Sequence, residues 1–305
     1  MKSLNEFYTE LDELKKNNPE GVHKYLVDTF NDHQQCCGRH NDIDMACRSE
    51  LAEYCKAKGN YEYAINYYKD LKEIIASISG TDSAAYVSCL NNMAETYRLT
   101  GDLAESQKLF FNAANILESR VGTRDYLYGQ VINNIGLNYM MMGENNKAIM
   151  NIRNALSVIS DLEDCKEDTA NALVNLGVLY NRTGDNDAAL QNLSQAIDIY
   201  ETDAPDSPSK GAAYNCKGSI CFGKGEYAEA RECFEKALES LAATAGKTPD
   251  YAVCSEWLVY TLAKLGDYDA ALAHAEEAAA IYEKFLGADN KKTVSTKALV
   301  EKLRP

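Results

Sequence analysis

Two sets of side chains in this chain have the types and spacing to do chemistry. His33, Cys36, Cys37 and His40 fall at i, i+3, i+4 and i+7, so they share one face if a helix runs past Gly38. Two imidazoles and two thiols are the right donors for zinc. Four donors on one straight helix cannot surround an ion tetrahedrally, however, and Cys47 would have to join them from another segment. The expectation is core thiols and surface histidines, with no cofactor, and the quartet is kept as the one metal candidate. The second set is made of amides. Asn91 and Asn92, Asn133 and Asn134, Asn175, and Asn215 stand at one register of successive segments. An amide side chain offers an acceptor and two donors, and so can hold the backbone of an extended peptide whatever its sequence. Asparagine is a poor helix former, so its return at one register favours a groove over merely polar helix faces. Gln130, Arg98 and Arg182 flank the amides, with Tyr126, Met140 and Glu95 beside them, and the two arginines suit an acidic side chain of a ligand.

The elements that must position these residues repeat. Gly59, Gly101, Gly143, Gly184, Gly225 and Gly266 are separated by 42, 42, 41, 41 and 41 residues, and fixed self-similarity at such a period means stacked helical hairpins. Seven residues before each glycine stands Ala52, Ala94, Gly136, Gly177 or Gly218, with Val259 as the exception. Five residues after it stands Ala64, Ser106, Ala148, Ala189, Ala230 or Ala271. Small residues at both places let the two helices of a hairpin approach closely. Tyr97, Tyr139 and Tyr180 before the turn, and Tyr68, Phe110 and Phe234 after it, fill the space between neighbours.

The order small, aromatic, glycine, small, aromatic, alanine resembles the tetratricopeptide repeat over roughly residues 42 to 288. That family's usual period is about 34 residues. The longer unit here, with Leu90-Asn91-Asn92-Met93-Ala94, Ile132-Asn133-Asn134-Ile135-Gly136 and Thr248-Pro249-Asp250-Tyr251-Ala252, is similar to the repeats of kinesin light chain. The fifth and sixth repeats lack the paired asparagines. The resemblance implies a concave face lined by the first helix of every hairpin, and a peptide or protein partner. It also implies no chaperone clamp, since the matching positions hold Ser49 and Glu53, Asn91 and Glu95, and Asn133 and Leu137.

Composition narrows the functions further. A formal charge of -15, from 46 acidic and 31 basic residues, argues against nucleic acid and anionic membranes, which need clustered Lys and Arg. No run of eighteen apolar residues exists. Met1 to Lys16 reads as a charged amphipathic helix rather than a leader, and Cys47, Cys55, Cys89, Cys216, Cys221, Cys233 and Cys254 as reduced, buried thiols of a cytoplasmic protein. There is no Gly-rich phosphate loop, no Gly-x-Ser-x-Gly and no His-Glu-x-x-His, so no enzyme is expected.

Taken in order, residues 1 to 41 form an N-terminal helical cap or degenerate repeat. Six repeats follow at about 42–79, 82–119, 124–161, 166–201, 207–243 and 249–286, and residues 289 to 305 supply a C-terminal capping helix. Asp203-Ala204-Pro205-Asp206-Ser207-Pro208-Ser209 reads as the loosest connector, with two of the five prolines. The fold class is all-α, a right-handed α-α superhelix with helical caps at both ends. The function read from it is a non-enzymatic scaffold that holds an extended peptide or partner segment in a concave groove. Two alternatives stay open: a peptide-responsive switch of the quorum-sensing receptor type, for which residues 1 to 41 are short and acidic as an effector module, and a self-assembling structural solenoid. The oligomeric state is left open.

Overall fold

The computed structural model describes residues 2–37, 42–120, 125–162 and 164–304. Among them are fifteen α-helices and no strand: α1 Leu4–Asn17, α2 Val22–Cys37, α3 Asp42–Ala57, α4 Tyr61–Ser79, α5 Ala84–Thr100, α6 Leu103–Arg120, α7 Tyr126–Met141, α8 Asn145–Ile159, α9 Lys166–Thr183, α10 Asn186–Asp203, α11 Ser209–Lys224, α12 Tyr227–Thr244, α13 Pro249–Leu265, α14 Tyr268–Leu286 and α15 Lys291–Leu303. They form two compact units, residues 1–158 and 159–305. The first holds α1, α2 and the hairpins α3/α4, α5/α6 and α7/α8. The second holds α9/α10, α11/α12, α13/α14 and α15. No helix of the described residues is long and apolar enough to cross a membrane.

Each hairpin turns where its glycine allows it. At Gly143 the backbone is left-handed, with φ +78. The Glu144 N–H bonds to Tyr139 O at 2.9 Å and the Gly143 N–H to Met140 O at 3.2 Å, the two-bond closure that satisfies the carbonyls left over at a helix end. The same pair of bonds closes α3, α9, α11 and α13 at Gly59, Gly184, Gly225 and Gly266. Beyond the turn the helices nearly touch. A Cβ added to Gly136 would lie 2.5 Å from Ile152 Cγ1, and one added to Gly177 would lie 2.6 Å from Leu193 Cγ. The small residues therefore set the spacing of each hairpin, and the apolar faces on either side close over them.

The first unit begins with a capped helix pair. The Ser3 N–H donates to Glu6 Oε2 at 2.7 Å while Ser3 Oγ accepts from the Glu6 N–H at 3.3 Å, a reciprocal cap. Asn18 Oδ1 accepts from the Gly21 N–H at 3.2 Å, with Pro19 at the start of the following 3-10 turn. Phe7, Leu11, Val22 and Leu26 then bury against Ile43, Cys47 and Leu51 of α3. A guanidinium crosses this packing: Arg48, 4% exposed, reaches Asp44 Oδ1 at 3.2 Å and Asp70 Oδ2 at 2.8 Å, and lies over the Phe30 ring at 4.8 Å.

The second unit differs from expectation at its connector. Residues 204–208 do not hang loose, because Ser207 is buried and its hydroxyl donates to Glu167 Oε1 at 2.6 Å. At the far end, Thr296 of α15 donates to Glu256 Oε1 at 2.6 Å, and Tyr282 to Glu256 Oε2 at 3.0 Å. The single tryptophan, Trp257, stacks on Phe234 with ring centroids 6.3 Å apart and meets Phe222 and Tyr260 edge-on. The thiols of both units are free and, apart from half-buried Cys216, buried among the described residues. Burial pushes Cys47, Cys89 and Cys254 up to about 12.

Candidate functional site

The register that brings asparagine back in α5 and α7 places it on the same side of two neighbouring first helices of the first unit. Asn134 Nδ2 donates to Asn91 Oδ1 at 3.0 Å, and Asn91 Nδ2 donates to Asn92 Oδ1 at 3.4 Å. Three amides thus form one polarised chain across adjacent repeats. All three are half-buried, so the chain of bonds stiffens this face. Asn133 adds a buried Oδ1 with no hydrogen-bond partner, an acceptor whose desolvation is uncompensated. Gln130 Nε2 is engaged by Tyr126, whose hydroxyl accepts at 2.6 Å.

Asn92 opens onto a cavity of about 320 Å³. Leu4 and Tyr8 of α1, Met45 and Ser49 of α3, and Ser88 and Cys89 of α5 line it. The N-terminal helix α1 thus builds one wall of the pocket, a role not legible in its sequence. The volume lies at the lower end of small ligand sites and matches one large apolar side chain with room to spare.

The charged residues on this side form a row. Tyr68 donates to Glu53, which pairs with Lys56 at 2.8 Å, and Lys56 reaches Glu95 at 2.9 Å. Arg98 Nη2 stands 3.5 Å from Glu95 Oε1. Burial opposes the charge on Lys56, yet its hydrogen bonds to Glu53 and Glu95 outweigh that and hold its pKa above the usual value. Arg98 is less well served. Its side chain is 14% exposed, Nε has no partner, and desolvation lowers its pKa despite Glu95. A guanidinium that is desolvated and incompletely bonded gains most from an added carboxylate.

In the second unit Asn175 of α9 and Asn215 of α11 are half-buried, and Asn215 Oδ1 is buried without a partner. No hydrogen bond among the described residues joins Asn175 to Asn215, and Arg182 is exposed. The amide chain thus belongs to the first unit. Of the metal candidates, His33 is buried on α2, while the side chains of Cys36 and Cys37, and all of His40, lie outside the described residues. Two features escaped sequence reasoning. One is the cluster of Phe222, Tyr227, Trp257 and Tyr260 on the second unit, signalled only by aromatic residues on the first helices α11 and α13 and at the start of α12. The other is a cleft of about 610 Å³ at the connector, lined by Glu201, Pro205, Lys210, Tyr214, Lys236 and Ser240 among others.

A family model described as tetratricopeptide repeat matches residues 44–119, 128–202 and 209–284. No curated protein matches the chain. Among solved structures, a Rap protein complexed with competence and sporulation factor is 17% identical and superposes with a TM-score of 0.67, covering 98% of this chain and 84% of that one. The apo form of the quorum sensor NprR from B. thuringiensis is 15% identical, with a TM-score of 0.67 and coverage of 99% and 80%. A Podosopora anserina protein assigned as a kinesin light chain, built of nearly identical repeats of this type, is 17% identical, with a TM-score of 0.54 and coverage of 66% and 97%. At these identities the likeness is one of fold.

Proposed function

The chain belongs to the tetratricopeptide-repeat family of protein-interaction scaffolds, and on that premise we propose that it is a non-enzymatic, cytoplasmic protein whose first unit holds an extended segment of a partner protein. The amide chain Asn134–Asn91–Asn92, ending at the apolar cavity, carries this reading. Amide atoms at its margins, with Asn133, take the ligand's backbone. The cavity between Tyr8, Met45 and Cys89 takes one apolar side chain, and Arg98 takes an acidic neighbour. The amides are held by one another before a ligand arrives, so ordering them costs little at binding. Asn175, Arg182 and Asn215 are proposed as secondary contacts in the second unit. Residues 1–41, 42–288 and 289–305 are proposed as cap, six repeats and closing helix. With a charge of -15, neither nucleic acid nor an anionic membrane is a partner in this reading.

A peptide array probed with the full chain tests the proposal, with Asn92→Ala, Asn134→Ala and Arg98→Gln alongside. Hits lost in the amide variants, with a preference for acidic peptides lost in Arg98→Gln, support it. The same hits at the same strength in all three variants refute it. A second reading, a peptide-responsive switch, is favoured by the near-complete coverage of this chain by the Rap and NprR folds. Small-angle scattering with a peptide found on the array tests it, since a switch compacts on binding and a passive scaffold keeps its dimensions.

A further inference from the structure

The turn between α11 and α12 gathers donor atoms of a different kind from the amides. The Glu226 N–H bonds to Cys221 O at 2.9 Å, and the Gly225 N–H bonds to Phe222 O at 3.0 Å. That closure lays residue 226 against residue 221, where most such turns put two apolar side chains in contact. Here they are a carboxylate and a thiol. Glu229 and Cys233 follow on α12 at i and i+4, one face of a helix, and α12 packs on α11 through Gly218, where an added Cβ would lie 2.8 Å from Phe234 Cε1. Cys221 Sγ, a Glu226 carboxylate oxygen and a Glu229 carboxylate oxygen all lie within 4.8 Å of one another. Cys233 is hydrogen-bonded to Cys221 thiol to thiol, so it stands next to the cluster as a fourth donor although its sulfur lies outside the 4.8 Å set.

We infer that Cys221, Glu226, Glu229 and Cys233 form a binding site for a thiophilic divalent cation, with zinc the best fit.

A tetrahedral ion with zinc's bond lengths, about 2.3 Å to sulfur and about 2.0–2.2 Å to oxygen, needs donors roughly 3.3–3.8 Å apart. The two thiols are already in contact. The two glutamates are exposed, so their carboxylates can close on Cys221 by about 1 Å and swing toward Cys233 by rotamer changes. Their present partners are lysines, Lys224 at 3.3 Å from Glu226 and Lys217 at 3.4 Å from Glu229. Exposed pairs of that kind are weak, and once displaced the ammonium groups stay close enough to offset the excess negative charge of two thiolates and two carboxylates. Each thiol ligates after giving its proton to solvent. The site is particular to this hairpin. At the same four positions no other repeat carries more than two such donors, Asp102 with Glu105 or Asp267 with His274.

The test is a Co²⁺ titration of the reduced, chelator-stripped full chain. The expected result is one equivalent bound, an intense thiolate-to-cobalt charge-transfer band in the near ultraviolet, and its displacement by Zn²⁺. Cys221→Ser and Cys233→Ser should abolish the band with helix content preserved. Glu229→Gln alters only an exposed side chain, so it should keep the band and bind more weakly by at least the roughly 10-fold that losing a supporting group costs. Cys36→Ser/Cys37→Ser should bind like the parent. No band in the parent, a band that survives in Cys221→Ser, unchanged affinity in Glu229→Gln, or loss of the band in Cys36→Ser/Cys37→Ser would each overturn the assignment. Peptide-array results leave it untouched, since none of its ligands belongs to the first unit.

Discussion

Replacing Gly136 with alanine should destabilise the first unit although alanine is the better helix former. Helix propensity alone favours the change by about 0.8–1.0 kcal/mol. Against it, the new Cβ would lie 2.5 Å from Ile152 Cγ1 and 3.2 Å from both Ala148 O and Ile152 N. Ordinary contact begins near 3.4 Å, so 3.4 - 2.5 gives 0.9 Å of separation to be found. Cγ1 sits next to the branched Cβ of Ile152 and moves little by rotation, and the two backbone atoms at 3.2 Å cannot give way without the helix. α8 must retreat, and overpacking of that kind costs about 1–3 kcal/mol. With backbone involved the upper part of that range applies, leaving a net loss of about 1–2 kcal/mol. Gly223 is the internal comparison: it is helical and has nothing within 4 Å of an added Cβ, so Gly223→Ala should stabilise by about 0.5–1 kcal/mol. Ile152→Ala should cost about 2–5 kcal/mol by opening a cavity. The double variant Gly136→Ala/Ile152→Ala should cost less than the sum of its parts by about 1 kcal/mol, because the new methyl occupies space the isoleucine leaves. Repeat arrays need not unfold in one step, so urea titration is paired with native-state hydrogen exchange of the α7 and α8 amides. Equal stabilisation by Gly136→Ala and Gly223→Ala would refute the close approach of α7 and α8.

Two further predictions concern charge. Arg48→Met should cost about 3–5 kcal/mol, since it strips its guanidinium from a wholly buried Asp44 carboxylate; a melting temperature within a degree of the parent would contradict the ion pair. Alkaline pH should unfold the protein early. Burial, first among the causes, raises Cys47, Cys89 and Cys254 from 9.0 to about 12, and Tyr128 and Tyr200 from 10.0 to about 12. A raised folded-state pKa means that the contribution is full below the unfolded value and is lost as pH climbs through the folded one. The urea midpoint should therefore hold level up to about pH 9 and fall steadily between about pH 9 and pH 12. A midpoint still level at about pH 11 would show that these groups titrate in place.

The hairpins were legible because each rests on a local rule. A glycine ends one helix in the left-handed region, and a small residue seven positions earlier admits the partner helix. Both signals repeat, so neither depends on distant parts of the chain. The asparagine register was legible for the same reason, but its bonding was not: nothing in the sequence states that Asn134 reaches Asn91 in the preceding repeat. Arg98 and Arg182 look alike in sequence, each seven residues after a groove asparagine, Asn91 and Asn175, yet one is half-buried beside Glu95 and the other exposed. Ser207 shows the limit from the other side, since a Pro-rich connector read as loose is held by one buried hydroxyl. Cys221 and Cys233 were read singly as core thiols. Their meeting depends on a turn that folds the chain back on itself, and scanning one helix face for donors at i, i+3 and i+4 cannot see it.

The packing of Trp257 among Phe222, Phe234 and Tyr260 has a practical outcome. The chain contains one tryptophan, so its indole emission is a gauge fixed to a single place, the fifth and sixth repeats. Trp257 is already 36% exposed, so quenching or a spectral shift reports loss of its packing on Phe222 and Phe234. A ligand that settles over Asn92 and Arg98 leaves that gauge still unless the change travels to the second unit. Fluorescence read beside circular dichroism therefore separates the two units without a label: coincident transitions mean that they melt as one body, and split transitions rank them.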